Sequence, residues 1–126
     1  MTLKIAFLFA AFAGALGVVL GAFGAHALRG SIEPRLIETF PTAVQYQLIH
    51  ALALLLVSLT MGWLGQSLSF EISAYAFMAG IILFSGSLYG LVLTEMRWLG
   101  PVTPLGGLCF IVGWLALLVG GYRQIA

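Results

Sequence analysis

The segment TAVQYQLIHALALLL, residues 42–56, places Gln45, Tyr46, Gln47 and His50 inside an otherwise aliphatic run. Gln47 and His50 are three apart and Tyr46 and His50 four apart, so they share a side of a helix. The other side chains able to bind or pass a proton are His26 in LGAFGAHAL, Ser85, Ser87 and Tyr89 in LFSGSLYGL, and Thr103 in GPVTPLGGL. Amides, hydroxyls and imidazoles of this kind can hold a small polar solute, a lipid headgroup or a proton. Bond-making chemistry has less to work with. No acidic residue falls within an apolar run, so no carboxylate dyad and no histidine–carboxylate pair stands ready for acid–base work there. Two histidines are too few for an ordinary zinc site, which takes at least three protein ligands. The lone Cys109 excludes an internal disulfide and a cysteine metal cluster. No GxSxG, HExxH or Walker pattern occurs. The expectation is a protein that is not an enzyme and carries no metal or cofactor.

The elements that position these residues follow from composition. Of 126 residues, 62% are hydrophobic and 7% charged. A soluble domain is about one-quarter charged, so lipid must be the solvent for much of this surface. The net charge of +1 offers no basic patch for nucleic acid. Four uncharged runs stand out, Ile5–Leu28, Thr42–Leu64, Ile72–Thr94 and Leu99–Tyr122. Each exceeds the roughly 20 residues that cross a bilayer at ~1.5 Å per residue. Lipid cannot hydrogen-bond a backbone, and the runs do not alternate as barrel strands do, so helices are expected. The predicted fold is an all-α integral membrane protein, one four-transmembrane-helix bundle over residues 1–126. Lys4, the first run and Ala25-His26-Ala27 resemble a signal peptide, but the run is longer than a signal's apolar core of ~7–15 residues, which argues for a retained helix.

The first loop, Arg29–Pro41, includes Pro34 and RLIETF, which suits a short interfacial helix between helices one and two. Pro41 then opens helix two, where a missing N–H costs nothing. The second loop is Gly65–Glu71, and Thr103-Pro104 is a start signal for helix four. Four spans put both termini on one side. Lys4 and Arg123 lie there, with Arg29, Arg35 and Arg97 opposite. This near balance weighs towards cytoplasmic first and third loops.

Small residues recur at helical spacing. Ala10, Gly14, Gly17, Gly21 and Gly24 share a face of helix one, as Gly106, Cys109, Gly113, Ala116 and Gly120 do in helix four. Ser73, Gly80, Ser87 and Thr94 stand seven apart in helix three. Lipid gives helices no hydrophobic reason to associate, so close backbone approach must do it. Faces left over suit a homo-oligomer.

Depth gathers the polar residues. His26 lies about 3 Å inside the first-loop end, Gln45 about 5 Å, and His50 about 12 Å from the same surface. Ser85 and Ser87 fall about 10–12 Å from the matching end of helix three, and Thr103 begins helix four on that side. Three readings fit the clustering: an interhelical hydrogen-bond network, a pocket or half-channel, and catalysis. The expectation taken forward is a pocket opening towards the first and third loops, lined by His26, Gln47, His50, Ser87 and Tyr89. Its alternative is an accessory subunit docking its glycine faces on a larger membrane complex.

Together LGAFGAHAL, TAVQYQLIHALALL, LFSGSLYGL and GPVTPLGGLCFIVGW resemble the domain of unknown function 423 family, whose animal relatives are called transmembrane protein 256. The motifs stand in the family's order from helix one to helix four. The resemblance implies a small four-helix protein of the bacterial inner membrane, and no activity. It maps the family's recurring positions onto Gly21, Gly24, His26, Tyr46, Gln47, His50, Ser85, Ser87, Tyr89, Thr103, Pro104, Gly106 and Gly107. Family members often carry an acidic residue just before TAV, where this chain has Pro41.

Overall fold

The computed structural model describes residues 2–24, 26 and 38–125. Helix α1 runs Thr2–Val19 and closes in a wider π turn, Leu20–Gly24. Helix α2 is Thr39–Leu64. Helix α3 runs Leu68–Gly80, passes through a π turn at Ile81–Ser85 and continues over Gly86–Thr94. A 3₁₀ turn, Arg97–Leu99, leads into α4, Val102–Gln124. The four spans expected from the apolar runs are all long and apolar enough to cross a membrane. No strand occurs among the described residues.

The helix ends correct the expected boundaries, because polar residues at a run's edge can still be helical. α1 starts at Thr2, ahead of Ile5. α2 starts at Thr39, so Pro41 sits within its first turn, where the backbone N–H has no helical partner to lose. The last residues of RLIETF therefore belong to α2. The rest of the proposed interfacial helix, residues 29–37, lies outside the described residues. α3 starts at Leu68 because Ser67 caps it, its hydroxyl accepting from the Phe70 N–H at 3.4 Å. Glu71 is thus in a helix and not in the second loop. Its carboxylate sits favourably at the positive end of the helix dipole and accepts from the Thr2 hydroxyl at 3.1 Å. Thr103 does not cap α4: the N-cap is Pro101, with no side-chain cap. α2 ends at Gly65, whose φ of 91° lies in the left-handed region and whose N–H returns to the Met61 carbonyl at 2.9 Å.

Of the most apolar stretch of each span, 44% is buried in α2 and 39% in α3, against 22% in α1 and 17% in α4. α2 and α3 are therefore the inner pair, with α1 on α2 and α4 on α3. The α3–α4 seam explains the glycines. Phe70, Phe77 and Phe84 are seven apart on α3, and Gly120, Gly113 and Gly106 seven apart on antiparallel α4. A Cβ on Gly120 would stand 2.6 Å from the Phe70 ring, and one on Gly113 2.6 Å from the Phe77 ring. One on Gly106 would strike the Phe84 backbone. The seam also runs the other way, because Phe110 of α4 fills the space over Gly80 of α3. Phe70, Phe77 and Phe110 are knobs in the holes of Gly120, Gly113 and Gly80, and Gly106 admits the α3 backbone itself, which is how helices gain dispersion contact in lipid. The packing face of α4 thus carries the buried Phe110, while Cys109 and Ala116 are only partly buried.

On the α1–α2 seam a Cβ at Gly17 would stand 2.7 Å from Leu48, one at Gly21 3.2 Å from Val44, and one at Gly24 would strike the Phe40 ring. Ala6, Ala10 and Ala13 are buried on the same face. Gly14 departs from the expected stripe. A Cβ there would meet nothing within 4 Å, so within this chain it is not a packing position. The reason is azimuth: Ala10, Ala13 and Gly17 hold the seam, and Gly14 lies beside it.

Candidate functional site

The polar residues grouped by depth do not converge on one cavity. They divide among four helix–helix seams. Gln47, at 2% exposure, joins three helices. Its Nε2 donates to the Ala13 carbonyl of α1 at 2.8 Å, and its Oε1 accepts from the Tyr89 hydroxyl of α3 at 2.6 Å. Ser85 donates to the Ala43 carbonyl at 2.8 Å, tying α3 to α2 at the π turn. Ser87 and Thr103 face each other across the α3–α4 seam with hydroxyl oxygens 2.6 Å apart, and Ser87 also reaches the Phe84 carbonyl at 2.9 Å. In the other half of the bundle, Ser73 donates to the Gly113 carbonyl at 2.8 Å. Among the described residues no buried side-chain nitrogen or oxygen lacks a partner. Unpaired polar groups in hydrocarbon cost several kcal/mol, on the order of the desolvation penalty. These bonds fix the helices' register and leave little for a polar solute.

His50 is different. It is 5% exposed and belongs to a cluster of rings between α2 and α4. Its imidazole stacks on Phe110 with centroids 3.6 Å apart and planes 9° from parallel. Phe77 and Trp114 close round it at 5.6 and 5.9 Å. The Nδ1 lies 2.8 Å from the Tyr46 carbonyl, which only accepts, so Nδ1 carries the hydrogen. The Nε2 then accepts from Trp114 Nε1–H at 3.1 Å. The neutral ring satisfies both contacts, whereas a second N–H would point at the Trp114 donor.

Tyr46, His50, Phe110 and Trp114, but not Phe77, border an open groove of about 790 Å³ between α2 and α4. Gln45 and Pro104 stand at its loop end, and Trp114 at the level of the middle of α4. Tyr46 and Phe84, with ring centroids 4.5 Å apart, border it together with the edge of the buried Phe110 and with Gly107. The volume falls in the usual range for small-molecule sites, ~300–1,000 Å³. Of the nine polar residues expected to form a site, Gln45, Tyr46 and His50 border this groove. Gln47, Ser85, Ser87, Tyr89 and Thr103 do not, and His26 is exposed beyond α1. Trp114 was not foreseen. A signal was present, since it is the one tryptophan near the middle of a span, whereas tryptophans favour the membrane–water interface. Gln45 also borders a smaller depression of about 380 Å³ against α1, beside Gly21 and Phe40.

Residues 20–107 match the family model described as protein of unknown function (DUF423). The chain belongs to this family. As a DUF423 chain it is 39% identical over 123 residues to the UPF0382 membrane protein YwdK of Bacillus subtilis (strain 168), covering 98% of this chain and all of that one (100%). It is 42% identical over 108 residues to the UPF0382 membrane protein SAB0533 of Staphylococcus aureus (strain bovine RF122 / ET3-1), covering 86% of this chain and 87% of that one. No solved structure matches. The matched region of this DUF423 chain includes both walls of the groove as far as Gly107, and α4 carries the wall on to Trp114. Both of these relatives are bacterial and named as membrane proteins, which agrees with four apolar helices here.

Proposed function

We propose that this protein is a non-enzymatic protein of the bacterial inner membrane that holds a membrane-dissolved amphiphile in the α2–α4 groove. One observation carries the reading. The rim of the groove is made of exposed apolar side chains in mid-helix, Ile49, Leu108, Ile111 and Trp114, and the groove reaches in to the buried His50. An open aromatic groove at that depth is supplied from hydrocarbon, since a water-borne polar solute would lose its hydration without recovering it. Gln45 and Tyr46 are both exposed at the loop end, and the amphiphile would lie between that end and the buried His50, along Tyr46, Phe84, Ile111 and Trp114. This replaces the polar pocket opening towards the first and third loops as the favoured form of binding, because the remaining polar groups are used between helices.

Trp114 reports on the groove. With Trp63→Phe and Trp98→Phe, it is the sole tryptophan. Lipids brominated along the acyl chain should quench its emission more than their bulk concentration accounts for, and the excess should saturate. Quenching linear in bulk bromolipid would count against occupancy.

A second reading, as a subunit of an oligomer or larger membrane complex, draws on Gly14. Its backbone is open to close approach from outside the chain. Gly14→Leu should then shift the assembly to smaller species in native mass spectrometry. An unchanged mass distribution removes that support.

A further inference from the structure

Three features at the inner end of the groove belong together. The Tyr46 carbonyl pins the hydrogen on His50 Nδ1 at 2.8 Å, which makes Nε2 an acceptor only. The stack on Phe110, 3.6 Å between centroids, fixes the plane in which that lone pair lies. Its partner is Trp114, which is 45% exposed on the groove wall and contacts Phe77 edge-on at 5.1 Å. The acceptor is therefore rigid and buried, while its donor stands on a rim facing the lipid.

We infer that the groove selects a hydroxyl-bearing amphiphile, an alcohol or phenol on an apolar body, whose O–H inserts between Trp114 Nε1–H and His50 Nε2. The inference rests on the groove reading above and adds the ligand's chemical class. A hydroxyl both donates and accepts. Placed between the two nitrogens, it donates to His50 and accepts from Trp114, so no polar atom is orphaned when the direct 3.1 Å bond opens. Trp114 has only to withdraw until each new bond measures about 2.8–3.0 Å. A ketone or an ether accepts but cannot donate. Either would take up the Trp114 N–H and leave the His50 lone pair unpaired in a buried site, the kind of mismatch a binding site rejects. Tyr46, Phe84, Leu108 and Ile111 supply contact for the apolar body without further hydrogen-bond demands.

The test uses the full chain in lipid nanodiscs with ¹⁵N-labelled tryptophan indoles, the Trp114 resonance assigned by its loss in Trp114→Phe. Hexadecanol and its methyl ether are titrated separately. The alcohol should shift the Trp114 indole signal saturably. The ether should need roughly tenfold more, the usual worth of one mispaired buried group. His50→Phe keeps a ring for Phe110 to stack on and removes the acceptor, so the preference for the alcohol should vanish. Equal half-saturation by alcohol and ether would overturn the inference and leave the groove reading standing. No saturable shift with either probe would overturn both. If His50→Phe does not accumulate, the alcohol–ether comparison on the unaltered chain still decides.

Discussion

The Tyr89 hydroxyl of α3 donates to Gln47 Oε1 of α2 at 2.6 Å, while Gln47 Nε2 donates onward to the Ala13 carbonyl of α1 at 2.8 Å. One amide thus bonds three helices, using its acceptor on one side and its donor on the other. Tyr89→Phe removes one bond and should lower unfolding stability in bicelles by about 0.6 kcal/mol, within an upper limit of about 1.7 kcal/mol. Gln47→Leu removes both and strands the Tyr89 hydroxyl, so it should cost about 1–3 kcal/mol. In a double-mutant cycle the pair should be less than additive, because Tyr89→Phe has little left to lose once Gln47 is gone. Strict additivity would show that the bond does not stabilise the bundle.

The glycine holes should be far less tolerant than their neighbours. At Gly106 a methyl group would meet the backbone of Phe84, which cannot rotate aside. Gly106→Ala should cost on the order of 1–3 kcal/mol, the typical penalty of overpacking. Gly14→Ala meets open space and should be neutral or slightly stabilising, since alanine is the better helix residue by about 1 kcal/mol. Thermal unfolding of both variants in the same detergent checks the contrast. Equal melting temperatures would contradict the knob-and-hole seam.

The groove can be blocked without disturbing the seams. A Cβ on Gly107 would touch nothing closer than Phe84 at 4.0 Å, and Gly107 borders the groove. Gly107→Phe should therefore leave melting within about 1 kcal/mol of the parent, as surface changes usually do, while removing the saturable bromolipid quenching of Trp114. Quenching that survives this change would place the quencher elsewhere on the helix.

The spans were legible because length and apolarity over twenty-odd residues leave few alternatives in lipid. That Ser85, Ser87 and Thr103 fall in the first-loop half of the bundle was legible too, from rise per residue. Direction around each helix was not, since it depends on rotation and tilt. Residues at one depth consequently separated onto different seams, Gln47 towards α1 and α3 and His50 towards α4. Half of the α3–α4 interlock was visible as glycines seven apart. Its other half, Phe70, Phe77 and Phe84, passed as ordinary apolar residues because a phenylalanine suits lipid as well as a seam. The helix starts lie outside the apolar runs where a polar residue serves the helix: Ser67 as a cap, Glu71 in a first turn.

Photo-crosslinking from the groove wall tests the central claim most directly. Ile111 borders the groove and Leu115 does not, yet both are 55% exposed, so general contact with lipid is matched. A benzophenone amino acid at Ile111 should capture a distinct amphiphile that persists through detergent exchange and is identified by the mass of the adduct. At Leu115 the adducts should mirror bulk lipid and fade on exchange. The same adducts in the same proportions from both positions would contradict an occupied groove.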